Sequence, residues 1–149
     1  MIKIKIIFIS LIFLLANCGF NPIYVKNINN NFSIENVIYN GDRELNNFLK
    51  TNLNQYKNEG ANKKVYIEAI SKYEKINLTK NTTGKITNYK LIAEVTFLIK
   101  STGRKINIIE ERVINTMDDK FEEARKEKAI KQSFASSISK KLTSELVIN

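Results

Sequence analysis

The chain has 149 residues, a formal charge of +9, no histidine, and a single cysteine, Cys18. Without histidine there is no Ser-His-Asp or Cys-His nucleophile system, and one cysteine rules out an internal disulfide and most zinc sites. Only five glycines are present, scattered singly, so no glycine-rich phosphate loop can form.

The first predicted element is an export signal. Lys3 and Lys5 precede an apolar run from Ile6 to Leu15, after which the chain turns polar and rich in asparagine. This is the pattern of a secretory signal peptide, and the run is too short for a spanning helix, which needs about 20 apolar residues. Leu15-Ala16-Asn17-Cys18 resembles the bacterial lipobox, in which the cysteine thiol takes a diacylglycerol and the chain is cut just before it. Asn17 departs from the usual Gly or Ala at that position. The expected division is a lipoprotein signal peptide over 1–17, a lipidated N-terminus and tether over 18–31, and one domain over 32–149. Cys18 is expected to carry a diacylglycerol and an N-acyl chain of palmitate type, with no other cofactor. One acyl chain holds only marginally, at about 0.8 kcal/mol per buried methylene, so two or three make attachment effectively permanent. Gly19, rather than Asp, after the cysteine points to the outer membrane, with the domain on its periplasmic face.

Removal of residues 1–17 leaves 132 residues, enough for one core, and lowers the formal charge from +9 to +7 as Lys3 and Lys5 depart. A basic excess suits a partner that bears phosphate, and export removes nucleic acid from the candidates. Anionic glycolipid or phospholipid remains.

Phe32 to Tyr39 is rich in β-branched and aromatic residues and ends at the turn signal Asn40-Gly41, which predicts a first strand. Asp42 is a natural N-cap for a helix whose Leu45, Phe48, Leu49, Leu53 and Tyr56 recur at spacings of three and four, and which should stop near Gly60. From Lys64 to about Thr79, Val65, Ile67 and Ala69 alternate with Tyr66, Glu68, Ile70 and Lys72, a second strand. Lys80 to Lys85 is a polar turn. Tyr89, Leu91, Ala93, Val95, Phe97 and Ile99 give the cleanest period-two signal, with Lys90, Ile92, Glu94 and Leu98 on the other side. Ser101 to Arg104 turns tightly into a fourth strand over about Lys105 to Asn115, whose alternation falters at Ile108-Ile109, leaving a bulge open. The last helix begins among Asp118, Asp119, Glu122 and Glu123. Asp119 and Glu122 have capping-box spacing, and acids near the start suit the helix dipole. Ile130, Phe134, Ile138, Leu142 and Leu146 form its buried stripe. The charged stretch from Arg125 to Lys128 has a weak apolar face and should project partly into solvent or onto a partner.

The order is strand, helix, three strands, helix. A helical crossover makes the first two strands parallel and should be right-handed, while strands two to four form an antiparallel meander. The expected fold is α+β: a two-layer sandwich with a four-stranded mixed sheet and both helices on one face. No enzyme is expected. The acidic pairs Glu110-Glu111, Asp118-Asp119 and Glu122-Glu123 are chain neighbours that point apart, and capping explains two of them.

Cys18-Gly19-Phe20-Asn21-Pro22-Ile23-Tyr24 resembles the Cys-Gly-Phe-x-Pro-Leu-Tyr start of alphaproteobacterial LPS-assembly lipoproteins, the LptE family. Gly84, Tyr89-x-Leu91 and Val95-x-Phe97 resemble that family's central strands, and Val113 to Ala124 and Ala129 to Leu142 its strand-four end and last helix. The resemblance implies a non-enzymatic lipoprotein that sits in the lumen of an outer-membrane β-barrel of the LptD type and binds lipopolysaccharide on its way to the surface. In that setting Lys80, Lys85 and Lys120, at one end of the sheet, would meet lipid A phosphates. Tyr66, Ile70, Ile92 and Leu98, opposite the helices, would face the protein partner. The rival expectation is an adaptor lipoprotein of another envelope complex, such as the barrel-assembly machinery, without a glycolipid site.

Overall fold

The computed structural model describes residues 32–148. The signal peptide, Cys18 and the tether through Asn31 lie outside the described residues. Strand β1 (Phe32–Gly41) ends at a glycine with φ +100°, where a Cβ would come within 1.8 Å of the Ser71 carbonyl oxygen. Only glycine tolerates both the backbone conformation and the approach.

Asp42 then caps α1 (Arg43–Leu53), its Oδ1 accepting the Leu45 N–H at 2.7 Å. The helix is shorter than its expected stop at Gly60. It gives way at Asn54–Tyr56 to a single 3-10 turn. Past Tyr56 no residue has an apolar side chain to bury until Ala61, and the Asn58 N–H donates instead to Ser33 Oγ at 2.8 Å, which draws the chain toward the start of β1.

Three long strands follow: β2 (Lys63–Lys80), β3 (Ile86–Ile99) and β4 (Arg104–Asn115). The sheet order is β1-β2-β3-β4, with β1 parallel to β2 and the other pairs antiparallel. β2, at 18 residues, runs well past the end of β1, so its distal half is paired on one side only by β3. The β3–β4 ladder is unbroken from Asn88 opposite Asn115 to Ile99 opposite Arg104. The bulge left open at Ile108-Ile109 is absent: Ile108 points into the core and Ile109 outward, so the doublet is one isoleucine on each face. Register shifts occur elsewhere, at Ile34/Asn36 in β1 and between Asn77 and Lys80 in β2.

Helix α2 (Lys120–Ile148) runs back over the same face as α1, and the two-layer α+β arrangement is as the sequence predicts. Leu45, Leu49 and Leu53 of α1 and the stripe from Ile130 to Leu146 meet Val65, Ile67, Leu91, Val95 and Phe97 in one core. The helices cover one side of the sheet because strands two and three carry their unbroken apolar set there.

The two halves of α2 are held differently. Asp119 Oδ1 accepts the Phe121 and Glu122 N–H groups at 2.8 and 3.3 Å, as a cap should. Glu122 does not complete the box; it pairs with Arg125 at 2.9 Å. The carboxylate that reaches back is Glu123, which is buried. Beyond it, Glu127 accepts from Tyr73 Oη at 3.0 Å and from Lys75 Nζ at 2.8 Å, and Lys131 Nζ bridges to Glu44 at 2.9 Å while lying 3.9 Å from the Tyr73 ring. The first half of α2 is thus docked mainly by charge, and the second by apolar packing together with the Lys141–Glu110 and Arg104–Glu145 ion pairs. Its outward residues Arg125, Lys126 and Lys128 are exposed.

Candidate functional site

Two surfaces hold the residues that the sequence singles out. The first is the side of the sheet that no helix covers. Tyr66 and Ile70 stand there at 47% and 54% exposure, and Ile92 and Leu98 are half-buried on the same side. The register extends the set. Ile38 lies opposite Glu68, which lies opposite Leu98; Glu94 lies between Lys72 and Ile109; Lys90 lies between Ile76 and Val113. Apolar and charged side chains therefore alternate across the first and last of these rows, while in the middle one two opposite charges stand beside Ile109.

The charges of this face largely neutralise one another. Lys72 pairs with Glu74 at 2.7 Å, Lys90 with Glu111 at 2.6 Å, and Lys100 with Glu68, while Glu94 accepts from Asn107 Nδ2 at 3.0 Å. What is left between the pairs is branched aliphatic surface. Single exposed apolar residues are ordinary, but Ile38, Tyr66, Ile70, Ile76, Ile109 and Val113 share one sheet face and are all at least 43% exposed. Ile38, Ile109 and Val113 were not singled out in the sequence because the faces of β1 and β4 are weakly patterned, and only the β1–β2 and β3–β4 registers place them here. Ile76 was missed although the period-two step from Tyr66 and Ile70 along β2 reaches it.

The second surface is the end of the sheet remote from Phe32. The β2–β3 turn closes there with the Asn81 N–H donating to the Lys85 carbonyl at 2.9 Å, and the chain leaving β4 returns beside it through the Thr116 N–H to the Thr87 carbonyl at 2.9 Å. Lys85 Nζ sits 3.3 Å from Asp118, a fully exposed pair that holds weakly. Lys120 Nζ lies 3.1 Å from Glu123. The topology thus brings Lys80, Lys85 and Lys120 to one pole, two of them already beside a carboxylate. Lys80 has no ion-pair partner among the described residues.

Phe121 is the feature of this pole that the sequence reading missed. It is 70% exposed at the start of α2, with the Arg125 guanidinium 5.9 Å from its ring centre. Its signal was legible: an aromatic residue in a helix but off the stripe that begins at Ile130. Leu78, half exposed near the end of β2, adds apolar surface to the same end of the sheet.

Glu123 dominates the electrostatics under this pole. The Met117 N–H, donated at 3.0 Å, lowers its pKa most; burial works against that, and Lys120 and Lys75 add to the lowering, for a value of about 2. Lys75 is pushed the other way: burial lowers its pKa, but the bonds to Glu127 and Glu123 outweigh burial and raise it.

A two-layer α+β domain with this strand and helix order is a fold of bacterial lipoproteins. Rare lipoprotein B from Shewanella oneidensis matches with a TM-score of 0.55 at 14% identity, over 74% of this chain and 92% of its own. A lipoprotein B from Nitrosomonas europaea matches with a TM-score of 0.55 at 12% identity, over 78% and 85%. A minor lipoprotein from Acinetobacter baumannii matches with a TM-score of 0.50 at 15% identity, over 75% and 94%. At these identities the likeness is one of fold. No family model matches the chain, and no curated protein matches it.

Proposed function

We propose that this protein is an outer-membrane lipoprotein, anchored through acyl chains on Cys18, that partners a β-barrel translocon of the LptD type in lipopolysaccharide transport and binds lipopolysaccharide without catalysis. The observation that carries the reading is the uncovered sheet face, where mutually paired charges leave an aliphatic surface that a protein wall can cover at little desolvation cost. The pole with Lys80, Lys85, Lys120 and Phe121 supplies what a phosphorylated acyl glycolipid needs: cations for phosphate and apolar surface for chains. The fold shared with rare lipoprotein B and a minor lipoprotein supports the lipoprotein part of the reading.

The test is copurification from envelopes in mild detergent, comparing wild type with Tyr66→Asp/Ile70→Asp. The reading expects a barrel-forming outer-membrane protein, identified by mass spectrometry as the lipopolysaccharide translocon, to copurify with wild type and to be lost from the double variant at unchanged melting temperature. Soluble and lipoprotein partners without a translocon would favour the adaptor role. A translocon retained by the variant would move the contact to another surface.

A further inference from the structure

The other pole of the sheet, where the tether enters, gathers a different set of cations. Phe32 lies opposite Lys63 and Ser33 opposite Lys64; Lys57 belongs to the loop that bonds to Ser33; Leu98 lies opposite Lys105 across the β3–β4 turn. Lys57, Lys63, Lys64 and Lys105 are exposed, and among the described residues none of the four has an ion-pair partner. The acids nearby are partly spent: Glu68 is taken by Lys100 and Glu145 by Arg104, leaving Glu35 and Glu59. Helix α2 ends at the same pole, as the Arg104 contact to Glu145 fixes, and its last residues Val147 and Ile148 are exposed, Ile148 at 77%.

Three features coincide here: unpaired lysines, an exposed aliphatic helix end, and the entry of the chain from Cys18. However residues 19–31 are arranged, they separate Cys18 from Phe32 by at most about 50 Å, since an extended chain covers roughly 3.3–3.6 Å per residue. We propose that this pole docks on the anionic phospholipid surface of the membrane that holds the acyl anchor, with Lys57, Lys63, Lys64 and Lys105 against headgroup phosphates and Val147 and Ile148 at the interface. The proposal rests on the lipid-anchor reading given above and adds a surface to it. Lysines beside an anionic leaflet each strengthen attachment about fivefold, and the gain falls within a Debye length, so the contact orients the domain over its anchor.

The full protein, purified from envelopes, is mixed with vesicles of phosphatidylcholine alone or with one-third phosphatidylglycerol. Flotation is scored first, and lysines are then modified with a water-soluble amine reagent and mapped by mass spectrometry. The expected result is flotation with both vesicles and, on the anionic ones, at least about fivefold slower modification of the four proximal lysines, with Lys126 and Lys128 of α2 unchanged. High salt should remove the protection. Flotation with equal modification on both vesicles overturns the docking pole but keeps the anchor. Flotation only with anionic vesicles upholds the pole and overturns the anchor. Flotation with neither overturns both, and protection by lipopolysaccharide micelles but not by phosphatidylglycerol assigns these lysines to glycolipid and overturns the proposal.

Discussion

Glu123 turns back over the start of α2 to accept the amide hydrogen of Met117 at 3.0 Å, and the same carboxylate holds Lys75 and Lys120, each at 3.1 Å. One buried side chain thereby ties the exit of β4, the middle of β2 and the first turn of the last helix.

The first prediction concerns pH. The folded state holds Glu123 near a pKa of about 2, against an ordinary 4.5, so it binds fewer protons than the unfolded chain between those values. The stabilisation is fully present above about pH 4.5 and is lost as the pH falls through about 2. At 1.36 kcal/mol per pKa unit, the difference between 4.5 and about 2 corresponds to roughly 3–4 kcal/mol. Glu123→Gln, whose amide oxygen can still accept the Met117 N–H, should cost a lesser amount, on the order of 2–3 kcal/mol at neutral pH. Urea unfolding at pH 7 and at pH 2.5 checks this: the gap between wild type and variant should narrow sharply at the lower pH. A constant gap would mean that packing, and not charge, holds the side chain.

The second concerns the core. Phe97 is fully buried on β3, in the core that both helices share. Phe97→Ala should lower unfolding free energy by about 3–5 kcal/mol. A denaturation midpoint displaced by less than about 1 kcal/mol would contradict its place at the centre.

The third separates two glycines of similar backbone conformation. Gly41 has φ +100° and no room for a Cβ beside Ser71, whereas Gly84 has φ +81° and open space around it. Gly41→Ala should cost more than about 3 kcal/mol, since backbone strain of about 1–3 kcal/mol is joined by a clash; Gly84→Ala should pay only the strain. Thermal melts of the two variants side by side decide it, and equal losses would reject the clash.

The fourth addresses the distal pole. Lys80→Ser/Lys85→Ser should weaken lipopolysaccharide binding about tenfold or more at low salt, because each charge-assisted contact contributes on the order of 1.5–3 kcal/mol. The melting temperature should hold, because Lys80 is unpaired among the described residues and Lys85 makes only an exposed pair. Lys120 is left in place, since it is a partner of Glu123. Titration with labelled lipopolysaccharide at two salt concentrations gives the answer; undiminished binding would remove this pole as the site.

Much of the architecture was legible where burial is one-sided. The alternation from Tyr89 to Ile99 and the four-residue steps from Ile130 to Leu146 each report a single apolar face, and both faces are found in the core. Asp42 as a cap was legible because capping is local. Pattern failed where a polar contact replaced an apolar one. Nothing in the spacing of Lys75 and Glu123, 48 residues apart, or of Lys131 and Glu44, 87 apart, marks them as partners. The charged start of α2 was therefore legible only as partly projecting, and the ion pairs that dock its inner side were not. The candidate surfaces were half legible for the same reason: period two placed Tyr66 and Ile70 on the outer face, but only the strand register sets them beside Ile38 and Leu98.

The 18 residues of β2 also set a length. At about 3.2–3.4 Å per residue the strand extends roughly 55 Å, more than the roughly 40–45 Å of a bilayer with its headgroups. In the setting proposed above, a domain stood upright inside a barrel with Lys63 at the inner leaflet would carry its Lys80 end out to the outer leaflet. A carrier of that height would need no stroke, since cargo would pass along it while an anchor at Cys18 stayed in place.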